Sequence, residues 1–414
     1  MTSLEEPIRI EEPVRIEDYD FYDEATCYPV YERLQREQPV YYYEPLDAWV
    51  LSKYDDVRHV SRTPNTFSST RGLTLNEIRL ARSGAGKSLE RFFDPAGELV
   101  ITLDPPRHRQ LKQTMTPAFN PRAVRSLEPQ ITALSNQLLD QIPPGEPIDF
   151  VATTARKLPV LVAAAVLGVP DADPDQIQVW VDALEALTRV ETVADLEAAA
   201  ANFKPMDEFF RTHLAQKRKQ PGDDLMSVLL ATRLEGEPLT EPQMLSHLMT
   251  LMSNGGTTRL LLASLVWLFA THSEDLARVV AEPGLQAPAI EEALRLRPPA
   301  RGFARTVVGD VVLRGVTMQA GQHVYMLYDA ANRDAEVFED PHAFDVARHQ
   351  ERMHVSFGYG THTCLGAALI RVEVGIFVRE LLRRFTRIEL AGEPVRQQHV
   401  QLNGWQRLPV VFGK

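Results

Sequence analysis

The chain has 414 residues, of which 44% are hydrophobic and 24% charged, and carries a net charge of −12. That composition describes an ordinary globular protein with a large core and no dominant basic patch, which argues against a nucleic-acid partner. Two cysteines without a CxxC pair exclude a disulfide framework and suit a reducing compartment, so the expected location is the cytoplasm.

Residues 1 to about 18, MTSLEEPIRIEEPVRIED, alternate Glu, Pro and Ile without a helical period. They read as a flexible segment that is neither signal peptide nor membrane anchor. The longest apolar run, Leu260–Ala270, is shorter than the roughly 20 residues a bilayer requires. Residues 19–414 are expected to form one domain. Its opening stretch predicts a helix, a hairpin with strands at Val40–Tyr43 and Trp49–Leu51, and a second helix. Residues 65 to 100 are rich in Ser, Gly and Arg and have no clear period.

Leu103-Asp104-Pro105-Pro106 then opens a helix, since proline is tolerated in a first turn. His108 and Lys112 lie four apart and share a face of it. From Arg122 to about Gln220 the pattern is mostly helical. Leu127, Ile131, Leu134, Leu138 and Leu139 form a stripe of period near 3.6. Pro143-Pro144-Gly145 breaks it, Gly168 marks a later helix stop, and residues 181–203 read as an Ala- and Glu-rich helix. Gln243–Thr271 predicts one long helix interrupted by Ser253-Asn254-Gly255-Gly256-Thr257-Thr258. Each glycine costs about 1 kcal/mol against alanine there, so the stretch is either a bent helix or two helices meeting at a loop.

Residues 289–299 predict a short helix closed by Pro298-Pro299, with Glu292 and Arg295 on one face. Short strands follow from Ala304. Phe357-Gly358-Tyr359-Gly360-Thr361-His362-Thr363-Cys364-Leu365-Gly366 precedes an apolar run of helical period. Cys364 should therefore stand at a helix mouth, where amide dipoles favour a thiolate. The flanking glycines let the backbone turn sharply and approach something flat. A cysteine in such a place is either a small buried hydrophobe or an axial ligand for haem iron. The last residues suggest a hairpin with Trp405 near its tip.

The string from Phe357 to Gly366 resembles the haem-binding loop of the cytochrome P-450 family, Phe-Gly-x-Gly-x-His/Arg-x-Cys-x-Gly, and every fixed position is filled. The resemblance spans roughly residue 20 to the end. It implies a mainly α fold with small β-sheets, a triangular helical prism around a buried haem b. Cys364 would be the proximal ligand, in a loop shaped by Phe357, Gly358 and Gly366. His362, His108, Lys112 and Arg305 would hold the haem propionates. Glu292, Arg295 and Arg348 would form a buried ionic triad. Thr257 and Thr258 would lie over the distal face, Thr257 helping to deliver protons. Residues 300–303, with Arg301 and Phe303, would line the substrate pocket, and Trp405 would touch substrate or belong to the core. Arg301 is unusual for an apolar cavity and is either solvated or a contact for an acceptor group on the substrate.

The implied reaction inserts one oxygen atom of dioxygen into a small organic substrate by hydroxylation or epoxidation. Electrons would come from a ferredoxin or similar carrier and its reductase. Arg107, Arg122, Arg352 and Arg371 are candidates to receive that carrier. The protein is expected to be a monomer. Two departures stand out. Lys112 occupies a position where arginine is usual, losing the bidentate fork. Gly256 stands where the family carries an acid, and Asn254 where it carries glycine. A proton relay would then run through water, Asn254 or a substrate hydroxyl, which suggests poorly coupled or peroxide-driven turnover. Outside enzymes, the same features would suit a haem-based sensor.

Overall fold

A computed structural model of the protein describes residues 14–82, 99–190, 192, 194–195, 197–198, 203–348 and 353–414, with only the backbone of Ser253 and Asn254. The chain begins with helix α1 (Glu24–Glu37), strands β1 (Val40–Tyr43) and β2 (Ala48–Leu51), α2 (Tyr54–Arg62), β3 (Phe67–Ser68) and α3 (Leu75–Arg82). There follow α4 (Arg107–Phe119), α5 (Pro121–Ser126), α6 (Glu128–Leu139), β4 (Pro147–Asp149), α7 (Lys157–Leu167) and α8 (Pro174–Leu187). Next come α9 (Phe203–Lys219), α10 (Leu225–Ala231), β5 (Arg233–Leu234), β6 (Glu237–Pro238), α11 (Glu241–Thr271), α12 (Ser273–Ala281) and α13 (Gln286–Leu296). The last part holds β7 (Gly302–Val307), β8 (Val311–Leu313), β9 (Val316–Met318), β10 (His323–Leu327), α14 (Tyr328–Ala331) and α15 (Ala367–Arg384). It closes with β11 (Arg387–Leu390), β12 (Val395–Arg396), β13 (Trp405–Arg407) and β14 (Pro409–Gly413).

Periodicity explains most of these helices. Asp23 caps α1 by accepting from the Ala25 amide, and Cys27, Val30, Tyr31 and Leu34 form its buried stripe. On α6 the predicted stripe is buried at Ile131, Leu138 and Leu139. Gly168, at φ +82°, ends α7 as expected. Of the helix expected over 181–203, the first part ends α8 at Leu187 with Thr188 as its cap, residues 194–195 and 197–198 are helical again, and residues 191, 193, 196 and 199–202 lie outside the described part.

The long helix α11 is continuous for 31 residues, opened by a capping box between Thr240 and Gln243. Its glycines do not split it. A Cβ on either Gly255 or Gly256 would stand 3.7 Å from Val181, an ordinary packing distance, so α8 lies directly against this stretch. Tertiary packing thus outweighs propensity.

The strands form a five-stranded sheet in the order β1-β2-β10-β7-β3 and a three-stranded sheet β11-β14-β4, with smaller pairs elsewhere. The β2–β10 pairing is parallel, matching Ala48 with His323 and Leu51 with Met326. Among the described residues no single helix is long and apolar enough to cross a membrane.

One boundary needs correcting. Val14 and Ile16 are buried against the first helix and the five-stranded sheet, and the Tyr22 hydroxyl donates to the Ile16 carbonyl at 2.7 Å. The packed chain therefore begins before residue 19. Alternating Glu and Pro hid this, because two apolar side chains suffice to anchor an extended segment. Residues 1–13 lie outside the described part.

Candidate active site

Cys364 sits where the loop after Ser356 meets α15. Its amide donates to the Phe357 carbonyl at 2.8 Å, which folds the loop back on itself. Gly358 and Gly360 have φ of +69° and +65°. A Cβ on Gly360 would also stand 2.5 Å from the Ser61 carbonyl oxygen. Gly360→Ala is expected to cost about 1–3 kcal/mol, the range for a strained backbone position, and to lower the thermal midpoint measured by circular dichroism. The amides of Gly366 and Ala367 point at the Cys364 sulfur and, with the charges of Lys112 and Arg371, favour its thiolate. Burial is the larger effect and pushes the thiol up from its ordinary value. This corrects the expectation of a depressed thiol. Direct coordination by a cation is what removes the proton from such a sulfur.

Cys364 opens into a cavity of about 230 Å³. Leu365, Phe357, Gly358 and Gly366 surround it on the loop side. Across from them stand Thr257, Thr258 and Leu261 of α11, with Val100, Ala300 and Phe303 completing an apolar wall. Basic groups gather at the same cavity: His108 and Lys112 from α4, Arg305 from β7 and His362 from the loop. The two imidazole rings lie 4.1 Å apart. No acidic residue lines the cavity among the described residues. Burial, reinforced by these neighbouring cations, holds His108 down to about 4 and His362 down to about 2. Asp104 acts against this at His108 without overcoming it, so both imidazoles are neutral at pH 7.

Hydrogen bonding refines the picture. The Lys112 ammonium donates to the carbonyls of Thr361 at 3.0 Å and Thr363 at 2.6 Å, tying α4 to the cysteine loop. One of its three donors remains. His362 Nε2 meets Ser69 Oγ at 3.0 Å, whereas the buried His108 Nδ1 has no partner. Arg305 is buried and donates to the Ala304 carbonyl at 2.7 Å. This donor set suits two carboxylates at the rim of a flat group whose centre faces a sulfur.

Below the cavity, Glu292 accepts from Arg295 Nε at 2.8 Å and from its terminal nitrogen at 2.7 Å, and from Arg348 Nε at 2.8 Å. The expected triad is thus assembled, with Glu292 and Arg295 fully buried. Burial raises the Glu292 carboxyl, but the hydrogen bonds and charges of the two arginines outweigh it and hold the group below its usual range.

Two expected cavity residues belong elsewhere. Arg301 neither reaches solvent nor lines the cavity. It is 2% exposed and lies over the Tyr22 ring at 4.5 Å, with its side chain donating to the Leu402 carbonyl. It lies just before β7, which begins at Gly302, so strand alternation does not set its direction. Trp405 is core: it packs on Trp267 at 5.1 Å with the Arg297 guanidinium over both rings. Of the candidate carrier contacts, Arg371 is bound to Glu291 at 2.7 and 2.8 Å. Arg122 is exposed and Arg107 is partly so. Arg352 and the side chain of Asn254 lie outside the described residues. The spacing could not reveal Ser69, which meets His362 across 293 positions of chain.

A family model described as Cytochrome P450 matches residues 285–403. The chain is 33% identical over 396 residues to Cytochrome P450 109 of Bacillus spizizenii, an alignment covering 94% of this chain and 92% of that protein. The chain belongs to the cytochrome P450 family. It is also 34% identical over 396 residues to Mycinamicin IV hydroxylase/epoxidase of Micromonospora griseorubida, covering 92% of this chain and 94% of that one. A crystal structure of CYP109E1 from Bacillus megaterium in complex with corticosterone has a TM-score of 0.81 at 30% identity, covering 94% and 98% of the two chains. The helical body with small sheets is the P450 fold. As a P450 the protein is a monooxygenase, and its family implies haem.

Proposed function

We propose that this P450 uses haem b, held through Cys364, to oxidise a predominantly apolar small molecule with electrons from a ferredoxin and its reductase. The haem supplies the activation of dioxygen from which one oxygen atom enters a C–H or C=C bond. The observation that carries the reading is the acid-free cluster of His108, Lys112, Arg305 and His362 around a cavity whose floor holds one cysteine. Those four groups would hold the propionates, with Lys112 giving its one remaining donor. Thr257 and Thr258 would face the reacting oxygen and hold a proton near it. Val100, Phe303 and Leu261 would exclude water and orient substrate by shape. The names of the relatives, a mycinamicin IV hydroxylase/epoxidase and a corticosterone complex, favour a bulky substrate.

Exposed Arg122 and half-exposed Arg107 would meet an acidic carrier. Both cysteines are free, which suits a cytoplasmic setting, and we propose a monomer built as one catalytic domain from the packed N-terminal segment to the end. A second reading, peroxide-driven oxidation, is favoured by Gly256. Reconstitution with a plant-type ferredoxin, its reductase and NADPH should convert a steroid or macrolide that shifts the haem spin state. Conversion with hydrogen peroxide alone would favour the second reading, and conversion under neither condition would overturn both.

A further inference from the structure

Position 256 has no side chain, yet a carboxylate lies beside it. Glu185, near the C-terminal end of α8, places Oε2 3.6 Å from where a Cβ on Gly256 would stand. Its side chain is 8% exposed. Oε1 accepts from Arg189 at 2.7 Å and from Gln397 at 2.6 Å. Oε2 pairs with Arg259, which sits on α11 three residues after Gly256 and is also buried. A carboxylate offers about four lone-pair sites, so Oε2 retains acceptor capacity. Arg189 is 46% exposed, so the outer side of the cluster opens on water. His399, neutral because of burial and the nearby arginines, stands beside it on Thr188. Thr257, the next residue after Gly256, lines the cavity.

We infer that Glu185 supplies, from the neighbouring helix, the distal carboxylate that position 256 lacks, and relays protons from solvent toward Thr257. The inference rests on the P450 reading above. A carboxyl group on residue 256 itself would stand beside the Glu185 carboxylate, and two such charges together are unfavourable. The bare glycine and the acid on α8 are thus complementary. The Glu185–Arg259 pair alone would serve as a pin between helices. Its position against the backbone just before Thr257, with one edge toward water, gives it a second use. In the relay Glu185 takes a proton from water on one side and yields one on the other, ending unchanged. Protons delivered in time let dioxygen go to water (O2 + 4 e− + 4 H+ → 2 H2O) when no substrate is present. A failed delivery releases hydrogen peroxide (O2 + 2 e− + 2 H+ → H2O2). NADPH, through the ferredoxin system, provides the electrons in both cases.

The test compares wild type, E185Q, E185Q/G256D and E373Q as haem-loaded proteins, with dioxygen as the probe. E373Q is included because Glu373 is a second buried acid, with one unpartnered oxygen, on a small void shared with Thr258. E185Q should slow oxygen consumption by about two orders of magnitude, the low end for a positioned acid–base group. It should also raise the peroxide share and the solvent isotope effect. E185Q/G256D, which returns one carboxylate on the other helix, should restore all three. Independently of turnover, the C–O stretching frequency of the reduced, carbon-monoxide-bound protein should shift in E185Q and return in the double variant. Three outcomes overturn the inference: unchanged coupling in E185Q, a loss the double variant does not recover (a pin only), or a loss carried by E373Q instead. In each, an intact thiolate-haem spectrum leaves the family reading standing.

Discussion

Replacing Cys364 with serine should abolish the red-shifted absorption of the reduced, carbon-monoxide-treated protein and remove measurable monooxygenation. The expectation follows from how little else the substitution changes. The residue is held by its backbone, through the hydrogen bond its amide donates to the Phe357 carbonyl and through the start of α15. Serine keeps that backbone and nearly the same volume. It removes only the sulfur that, on the proposed reading, would ligate iron as an anion. The flanking amides of Gly366 and Ala367 and the charge on Lys112 would then face a hydroxyl that does not ionise near pH 7. Far-ultraviolet circular dichroism should be unchanged while the haem spectrum changes wholly. An intact red-shifted band in C364S would remove the basis of every statement made about the cavity.

Glu292→Ala should be nearly as severe, by a different route. Arg295 donates to Glu292 twice and also to the carbonyls of Asn332, Pro341 and Ala343. Arg348 reaches the same carboxylate. Deleting the acid leaves two guanidinium groups buried without a counter-charge, at a cost of about 3–5 kcal/mol. That is a large share of the 5–15 kcal/mol typical of a folded protein. Haem content after purification should fall to near zero, and Arg295→Lys should not rescue it, because lysine lacks the planar fork. The pH dependence follows the same logic. The Glu292 carboxyl is held below its usual range, so its contribution is complete above the ordinary carboxylate value and is lost as pH falls through the lower folded one. Acid-induced haem release monitored at the Soret band should reflect this. A soluble, haem-loaded E292A protein with wild-type melting would show that the triad is not structural.

Much of the site was legible because its residues are close in sequence. The ten residues ending at Gly366, the four-residue step from His108 to Lys112 and the three-residue step from Glu292 to Arg295 each define a local geometry. Arg301 was not legible. It lies just outside β7, so alternation does not set its direction, and Tyr22, its stacking partner, is 279 positions away. Trp405 was ambiguous for the same reason, since Trp267 comes from α11 and Arg297 from the end of α13. Val14 and Ile16 were misjudged because burial of an extended segment leaves no helical period. Glu185 read as one more acid in an Ala- and Glu-rich helix, and only the crossing of α8 over Gly256 gives it a particular neighbour.

The parallel pairing of β2 with β10 bears on how the chain is made. On the ribosome β1 and β2 can close their hairpin early, yet the far edge of β2 has no partner until β10 emerges about 270 residues later, a wait of roughly 15–55 s at ordinary elongation rates. During that interval a hydrophobic strand edge is open to any other nascent chain. Overexpression yield should therefore respond to translation speed and chaperone supply more than to changes in the helical body.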